Sequence, residues 1–229
     1  MNETQHMRAP QAIGDDTRGP GQSSAEHLAR RLSAFGGSAP VRPIEIVVGI
    51  AGMIIALAAL NLTEGLFAAA WWVLVLIVIR NDLADFLIPD EASALIAALG
   101  LLQIVTLALA AGHSAAMCLL ALGIALCSGA GAAAGLWTIG RVFRALSDRE
   151  GLGFGDVKLI GASGIWLGII QQAVALELAA LAALAVVLLQ SRAKFAVGDA
   201  LPFGAFLAPA SWLIYLVQAL PADWLEAMT

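Results

Sequence analysis

The sequence has too little charge to cover the surface of a soluble domain. Only 13% of its 229 residues are Asp, Glu, Lys or Arg, whereas 60% are hydrophobic, and the mean hydropathy is +0.87. A soluble protein needs a surface that is about one quarter to one third charged. The composition therefore excludes an ordinary cytosolic enzyme. The net charge of -5 argues against a nucleic-acid-binding domain, which carries a basic patch.

Cysteine is also scarce. Cys118 and Cys127 are the two cysteines of the chain, too few for a zinc ribbon or a disulfide framework. Their nine-residue spacing corresponds to about 900° on a helix, so the two thiols point to opposite faces. We expect neither a metal site nor a cofactor.

The chain divides into a polar beginning and a long apolar remainder. Residues 1–42 contain Gly, Pro, Ser, Gln and scattered charges without an apolar period, which predicts a disordered cytoplasmic tail and not a signal peptide. Residues 43–222 are predicted to form a transmembrane bundle, and residues 223–229 a short C-terminal tail.

The apolar remainder indicates an all-α membrane protein of about seven transmembrane helices. Apolar runs of about 16 to 28 residues follow one another with short polar breaks between them. Gln171 and Gln172 separate the fifth run from the sixth. The predicted spans are 44–62, 66–82, 92–111, 115–140, 157–171, 173–190 and 202–220.

The basic residues predict the orientation of this bundle. With seven spans, all twelve Lys and Arg residues fall on the side that carries the N-terminus. By the positive-inside rule, the N-terminus is then cytoplasmic and the C-terminus lies on the other side of the membrane.

Small and aromatic residues give two expectations about packing. Gly131 with Gly135, and Gly164 with Gly168, have the small-xxx-small spacing that lets helices approach closely, within one chain or at a homodimer face. Four tryptophans are expected to anchor the bundle at the membrane interface: Trp71, Trp72, Trp212 and Trp224.

Two aspartates stand out because a charge inside a membrane span costs about 2.5 to 3.5 kcal/mol on insertion scales. Asp82 ends one apolar run and Asp156 begins another, both at the predicted cytoplasmic boundary. A pair of carboxyl groups at one depth is what an aspartic dyad requires, with one ionised to take a proton from water and one protonated to polarise a carbonyl. The alternative is two solvated acids near helix ends.

Glycines before Asp156 favour the dyad. Gly151, Gly153 and Gly155 occupy alternate positions, where the absence of a side chain lets an extended peptide approach the carboxyl group. A phosphate-binding loop would need Gly-Lys-Ser or Gly-Lys-Thr, and neither occurs here.

Three motifs in order resemble the GxGD aspartyl proteases of the bacterial type IV prepilin peptidase family. The first is Asp82 followed seven residues later by Pro89-Asp90. The second is Gly-Phe-Gly-Asp-Val-Lys-Leu at 153–159, continuing to Gly168. The third is Pro202-Phe203-Gly204.

The resemblance implies an aspartic endopeptidase of the bacterial inner membrane that removes the basic leader of prepilins or pseudopilins at the cytoplasmic face. Its partners would be such a substrate, with its hydrophobic helix, and the lipid bilayer, but no nucleic acid. Asp82 and Asp156 match the catalytic pair, and Gly153 and Gly155 the active-site backbone. The positions that match other motif residues and would shape the site are Pro89, Asp90, Lys158, Pro202, Phe203 and Gly204.

The chain departs from the family pattern in three places. Arg80 and Asn81 stand where small or apolar residues are usual, and Ala205 stands where a second proline is common. Long members also have a cytosolic insertion with paired cysteines, linked to N-methylation of the product. Cys118 and Cys127 lie inside a predicted span, so we predict a peptidase without methyltransferase activity, similar to the short enzymes of tight-adherence (Flp) pili.

Helix ends suggest how the dyad is divided. Asp156 is expected at a helix N-terminus, which favours a negative charge, and Asp82 near a helix C-terminus, which disfavours one. We therefore expect Asp156 to carry the charge and Asp82 the proton.

The segment 80–91 suggests an acidic rim. It contains Asp82, Asp85, Asp90 and Glu91 with a single arginine, and such a rim would attract a basic leader. The alternative is a set of solvated helix-end acids.

Two other functions fit the composition. A small proton- or cation-coupled secondary transporter would also use intramembrane acids, although transport sites usually lie near the midplane. A membrane scaffold would leave the two aspartates without a role.

Overall fold

The computed structural model describes residues 42–147, 153–190 and 201–220. All regular secondary structure in these ranges is helical, which confirms the predicted all-α class. The expected tails, residues 1–41 and 221–229, lie outside the described residues, as does Trp224. The helices are α1 Pro43–Ala59, α2 Leu62–Asp85, α3 Asp90–Ala110, α4 Ala115–Ser147, α5 Phe154–Gln190 and α6 Gly204–Ala219.

The helices follow the predicted spans closely. Within the described ranges, α2, α3, α4 and α5 are long and apolar enough to cross a membrane, and α1 and α6 are shorter apolar helices. Local signals explain two of the starts. Pro43 is the first residue of α1, where its missing N–H is not needed, and Asp90 and Glu91 place negative charge in the first turn of α3. The protein is a multi-pass membrane protein.

The predicted boundary between the fifth and sixth spans is wrong. Gly168 has φ 75° and ψ 169°, which interrupts α5 three residues before Gln171. Gln172 is 1% exposed, so it belongs to the interior and not to a polar connection. An unbroken helix of this length would measure about 55 Å, more than the roughly 30 Å hydrocarbon core. With this break counted, the described helices form seven helical segments.

Glycine lets α4 and α5 pack backbone to backbone. A Cβ added to Gly129 would lie 2.5 Å from the carbonyl oxygen of Gly161, and one added to Gly164 would lie 3.0 Å from the Cα of Gly129. The predicted close approach is therefore confirmed for Gly164. Gly135 has no such neighbour within 4 Å, and Gly168 forms the break in α5.

Five aromatic side chains form a layer inside the bundle, which we call the aromatic layer: Trp71, Trp72, Trp166, Trp212 and Tyr215. The Trp71 and Trp166 rings stack with their centroids 4.5 Å apart, and the Trp72 and Trp212 centroids are 4.3 Å apart. Tyr215 contacts both members of the first pair. Trp71, Trp72 and Trp212 are buried, so their expected position at the membrane interface is wrong.

The indole N–H groups of this layer join neighbouring helices. Trp166 donates to the carbonyl oxygen of Ile96 on α3, and Trp212 donates to that of Ala68 on α2, both at 2.8 Å. Trp72 donates to the carbonyl oxygen of Val48 on α1 at 3.3 Å. A buried indole needs such an acceptor, and helix carbonyls provide one without another polar side chain.

One end of the bundle collects the positive charge. At this end Arg80, near the end of α2, lies 3.6 Å from Glu45 in the first turn of α1. The C-terminal part of α4 meets the first turn of α5 around a shared cavity lined by Arg141, Arg144 and Phe154. Every Lys and Arg of residues 42–147, 153–190 and 201–220 belongs to this end: Arg42, Arg80, Arg141, Arg144 and Lys158.

Candidate active site

The two predicted aspartates meet at the end of the bundle that carries these basic residues, which we call the dyad end. Asp82 lies in the last turn of α2 and is 4% exposed, and Asp156 lies in the first turn of α5 and is 8% exposed. They are close enough for the charge of Asp82 to act on Asp156. The helix order thus brings together two acids that are 74 positions apart in the sequence.

The first turn of α6 provides a backbone donor for Asp82. The N–H of Ala205 donates to Oδ2 of Asp82 at 2.7 Å, and the Gly204 backbone also interacts with this carboxyl group. A helix begins with unpaired N–H groups, which bind an anion well. The Pro202-Phe203-Gly204 segment leads directly into this turn, and Phe203 is the N-cap of α6. The third motif therefore positions a hydrogen-bond donor beside the first.

Gly153 performs a similar task for Asp156. It immediately precedes α5, and its backbone N–H interacts with the Asp156 carboxyl group. An acid at the third helical position that binds back to the N-cap is the arrangement of a capping box. A Cβ on Gly153 would lie 3.2 Å from Oδ2 of Asp156. This glycine therefore keeps the carboxyl group and the backbone close together.

Ile88 connects the two halves of the site, and sequence reasoning missed its role. It lies in the connection between α2 and α3, directly before Pro89. A Cβ on Gly155 would be 3.2 Å from Cβ of Ile88, and a Cβ on Gly204 would be 2.5 Å from its Cδ1. Ile88 thus packs against both glycines, and any larger residue at either position would meet its side chain. Its place before the Pro-Asp pair was the available signal, but an apolar loop residue suggests no chemistry.

The connection that holds Ile88 is short and has a defined geometry. Phe86 ends α2 in the left-handed conformation, with φ 53°, and its N–H donates to the carbonyl oxygen of Asp82 at 3.1 Å. This conformation is uncommon for a residue other than glycine. Pro89 is the N-cap of α3. The defined conformation of this connection therefore sets the position of Ile88 relative to Asp82 and to the start of α3.

Lys158 and Asp90 form an ion pair between two motifs. Nζ of Lys158 lies 2.6 Å from Oδ1 of Asp90 and 4.9 Å from the centroid of the Phe154 ring. The side chains are 36% and 68% exposed, so the pair lies at the surface of the dyad end. It links the first turn of α5 to the start of α3. The lysine that sequence reasoning left without a role therefore contacts a residue of another motif.

The predicted acidic rim is only partly available. Asp85 is the last residue of α2 and is exposed, whereas Asp90 already has Lys158 as its partner.

Within the described ranges, no group of three or more His, Cys, Asp and Glu side chains is placed to hold a metal ion.

Asp82 faces two helix ends and not one. It lies in the last turn of α2, as expected, but its carboxyl group also accepts a hydrogen bond at the N-terminus of α6. Both carboxyl groups therefore lie against a helix start, and the argument from helix ends no longer separates them. The assignment of the proton to Asp82 stays a prediction.

The comparisons with known proteins agree with the motifs. The model of the type IV leader peptidase family matches residues 67–189, which is more than half of the chain. Prepilin leader peptidase/N-methyltransferases are similar to part of it: that of Pseudomonas putida is 38% identical over 84 residues, or 35% of this chain and 28% of the relative. That of Burkholderia pseudomallei (strain 1026b) is 43% identical over 74 residues, or 32% and 24%.

A third relative gives the same picture. The prepilin leader peptidase/N-methyltransferase of Xanthomonas campestris pv. campestris is 37% identical over 92 residues, or 37% of this chain and 31% of the relative. The chain thus spans less than one third of the length of these relatives. No solved structure gives a significant match. Because the family model covers most of the helices that form the dyad end, the chain belongs to the type IV leader peptidase family.

Proposed function

We propose that the protein is an aspartic endopeptidase that cleaves the basic leader of prepilins or pseudopilins, with Asp82 and Asp156 as its catalytic residues. The main support is that both acids are buried at the same end of the bundle and that each faces backbone N–H groups at a helix start. Such an arrangement can hold one carboxylate and one carboxylic acid beside a water molecule.

The reaction needs no group beyond these two carboxyls. The carboxylate removes a proton from water as the water oxygen attacks the carbonyl carbon of the scissile peptide bond. The neighbouring carboxylic acid gives its proton to the carbonyl oxygen. When the tetrahedral intermediate collapses, the C–N bond breaks and the amine takes a proton from the acid that the water had protonated. As the C=O bond forms again, one hydroxyl group of the intermediate returns its proton to the other carboxylate.

The dyad end suits an extended peptide. Gly153 is exposed beside Asp156 and has no side chain, so its backbone is available for contact with a substrate strand, whereas Gly155 and Gly204 pack against Ile88. We propose that Asp85 adds long-range attraction for a lysine-rich leader, while Asp90 contributes less because it is paired with Lys158.

We further propose that the protein lies in the bacterial inner membrane with its dyad end in the cytoplasm. The basic residues of the described ranges support this orientation, because they are gathered at the dyad end. The N-terminus is then cytoplasmic. Since α6 begins beside Asp82 and runs away from it, the C-terminus emerges on the periplasmic side.

This orientation requires α5 to cross the membrane twice. Both α5 and α6 begin at the dyad end, so a single crossing would force the connection 191–203, which contains Arg192, Lys194 and Asp199, back through the lipid. A reversal of direction at Gly168 avoids that cost. We propose that the two parts of α5 are the fifth and sixth of seven crossings.

We propose peptidase activity without methyltransferase activity, and a substrate of the tight-adherence (Flp) pilin type. The motif residues present here support the cleavage step alone.

A transporter is less well supported, because the aspartates lie at one end of the bundle, whereas transport sites usually lie near the midplane.

The decisive experiment is co-expression with a prepilin and measurement of leader removal by gel shift and mass spectrometry. Asp82→Asn and Asp156→Asn should each stop cleavage while the amount of protein in the membrane stays normal. Glu64→Gln, a change of an acid at the opposite end of α2, is the matched control and should keep wild-type cleavage. Processing that persists in either Asp→Asn variant would contradict the proposal.

A further inference from the structure

One face of α4 forms a continuous stripe that is apolar over half its length and basic at its end. The half of the stripe farther from the dyad end lines an apolar cavity of about 590 Å³ between α3, α4 and α5. The half nearer the dyad end lines a smaller polar cavity of about 210 Å³. The two cavities share Phe154 and Val157 of α5. The stripe consists of Leu126, Gly129, Ala130, Ala133, Trp137, Gly140, Arg141 and Arg144.

We propose that this stripe binds one anionic phospholipid, with the headgroup phosphate at Arg141 and an acyl chain in the apolar cavity. The length fits this ligand. Arg141 lies fifteen residues after Leu126, which corresponds to about 22 Å of helix, and one leaflet with its headgroups is about 20 to 22 Å thick.

The charges favour an anionic lipid over other occupants. Two arginines line the polar cavity, and the guanidinium carbon of Arg141 lies 5.3 Å from the centroid of the Trp137 ring. Tryptophan and arginine together are typical of the headgroup level. The acid at the mouth of the apolar cavity, Asp90, is paired with Lys158 and so opposes an anion less. A basic peptide would meet like charge at the arginines.

The apolar cavity is suited to a lipid acyl chain and not to a bulky amino-acid side chain. Small residues line the cavity on both helices, so that no large side chain projects into it. They are Gly129, Ala130 and Ala133 on α4 and Gly161 and Ala162 on α5. On this second helix the lining residues lie on the face opposite Asp156, since residues 157, 161 and 165 follow one helical face and residue 156 another. The lipid site is therefore distinct from the dyad, and the inference does not require peptidase activity.

The test measures lipid binding to the purified full-length protein by native mass spectrometry. Phosphatidylglycerol and phosphatidylcholine with the same acyl chains are titrated separately. Wild type should bind phosphatidylglycerol at least about 5-fold more tightly, the effect of one basic residue at a membrane surface. Arg141→Gln should remove that preference, Arg141→Lys should keep most of it, and Ala130→Leu should weaken both lipids by filling the cavity.

Two controls separate this site from general surface binding. Gly135→Leu adds a leucine on the face of α4 opposite the stripe, where a Cβ would meet nothing within 4 Å, and Arg42→Gln removes an arginine at the start of α1. Both variants should bind lipid as wild type does. Equal binding of the two lipids by wild type would overturn the proposal. So would an unchanged preference in Arg141→Gln, or a dimer of the chain that forms on the stripe and excludes lipid.

Discussion

The dyad end and the aromatic layer hold the same helices together by different means. Around Asp82 and Asp156 the contacts are made by glycines, backbone N–H groups and the side chain of Ile88, with two ion pairs nearby. In the aromatic layer, large rings fill the space and indole N–H groups bind helix carbonyls. Close packing of rings fixes the helix positions, so the dyad end can use small residues and backbone donors around the two acids. Changes in the layer should therefore affect folding, and changes at the dyad end should affect cleavage.

The largest effect is expected for Trp166→Ala. The change removes the stacking with Trp71, the contact with Tyr215 and the hydrogen bond to Ile96, and it leaves a cavity. We expect a loss of about 3 kcal/mol in the free energy of unfolding. Thermal unfolding in detergent and protein abundance in the membrane measure it. Trp166→Phe keeps a ring and loses only the donor, so it should cost about 1 kcal/mol. Equal stability of Trp166→Ala and wild type would contradict the separation of the two regions.

The second-largest effect is expected for Gly204→Ala, which tests the packing of Ile88 at the dyad end. A Cβ at position 204 would lie 2.5 Å from Cδ1 of Ile88 and 3.1 Å from Oδ2 of Asp82, so Gly204→Ala should displace the carboxyl group. We expect kcat/KM for leader cleavage to fall about 100-fold, as for a displacement of about 1 Å in an active site.

A second substitution checks the cause of that loss. Ile88→Val removes Cδ1 and should restore much of the activity of Gly204→Ala. It should not restore Gly155→Ala, because the Cβ of residue 88, 3.2 Å from the new methyl group, remains. If Ile88→Val rescued both variants or neither, Ile88 would not be the contact that matters. Melting temperatures of the three variants control for unfolding.

A smaller effect is expected at the buried hydrogen bond between Gln103 and Tyr215. The side-chain amide of Gln103 donates to the Tyr215 hydroxyl group. Tyr215→Phe removes the acceptor and leaves the amide unpaired, which should reduce stability by about 1 kcal/mol. Replacing both residues, in Gln103→Leu with Tyr215→Phe, should recover part of the loss. Leader cleavage by the folded fraction should not change; a selective loss of cleavage would place Tyr215 in the active site.

The smallest effect is expected for the pair of Lys158 and Asp90. Both side chains are partly exposed, so their coupling should be below about 1 kcal/mol. A double-mutant cycle with Lys158→Met and Asp90→Asn measures it through thermal unfolding. The coupling should weaken as salt is raised from 50 mM to 500 mM, because salt screens exposed charges. A coupling that is large and insensitive to salt would indicate a direct role in the site.

Much of the architecture could be predicted because the membrane restricts it. A spanning segment must satisfy its backbone within a helix, so apolar runs gave the helix ends to within seven residues. The two aspartates could be singled out because each lies at the end of an apolar run and belongs to a motif, and their catalytic role stays a prediction. Their meeting at one end followed from the two crossings between them, because an even number of crossings returns the chain to the same side.

The remaining features depend on contacts that no local pattern contains. Ala205 donates to Asp82 across 123 positions, and nothing near either residue indicates this partner. The contacts of Ile88 with Gly155 and Gly204 likewise join distant positions and leave no local signal in the sequence. The break at Gly168 was misplaced because two glutamines looked more polar than one glycine, although backbone conformation and not polarity determines where a helix turns. The tryptophans were misplaced because a statistical preference for interfaces ignores the acceptors that buried helices offer.

The connection from Phe86 to Pro89 has a consequence for how this chain can vary in length. Surface loops usually tolerate insertions, but here one added residue would rotate Ile88 away from Gly155 and Gly204 while the helices on either side stay fixed. Natural variants and engineered fusions should therefore keep the seven-position interval from Asp82 to Pro89. The turn between α3 and α4, where Gly112 meets no neighbouring side chain, is the better place to insert a tag.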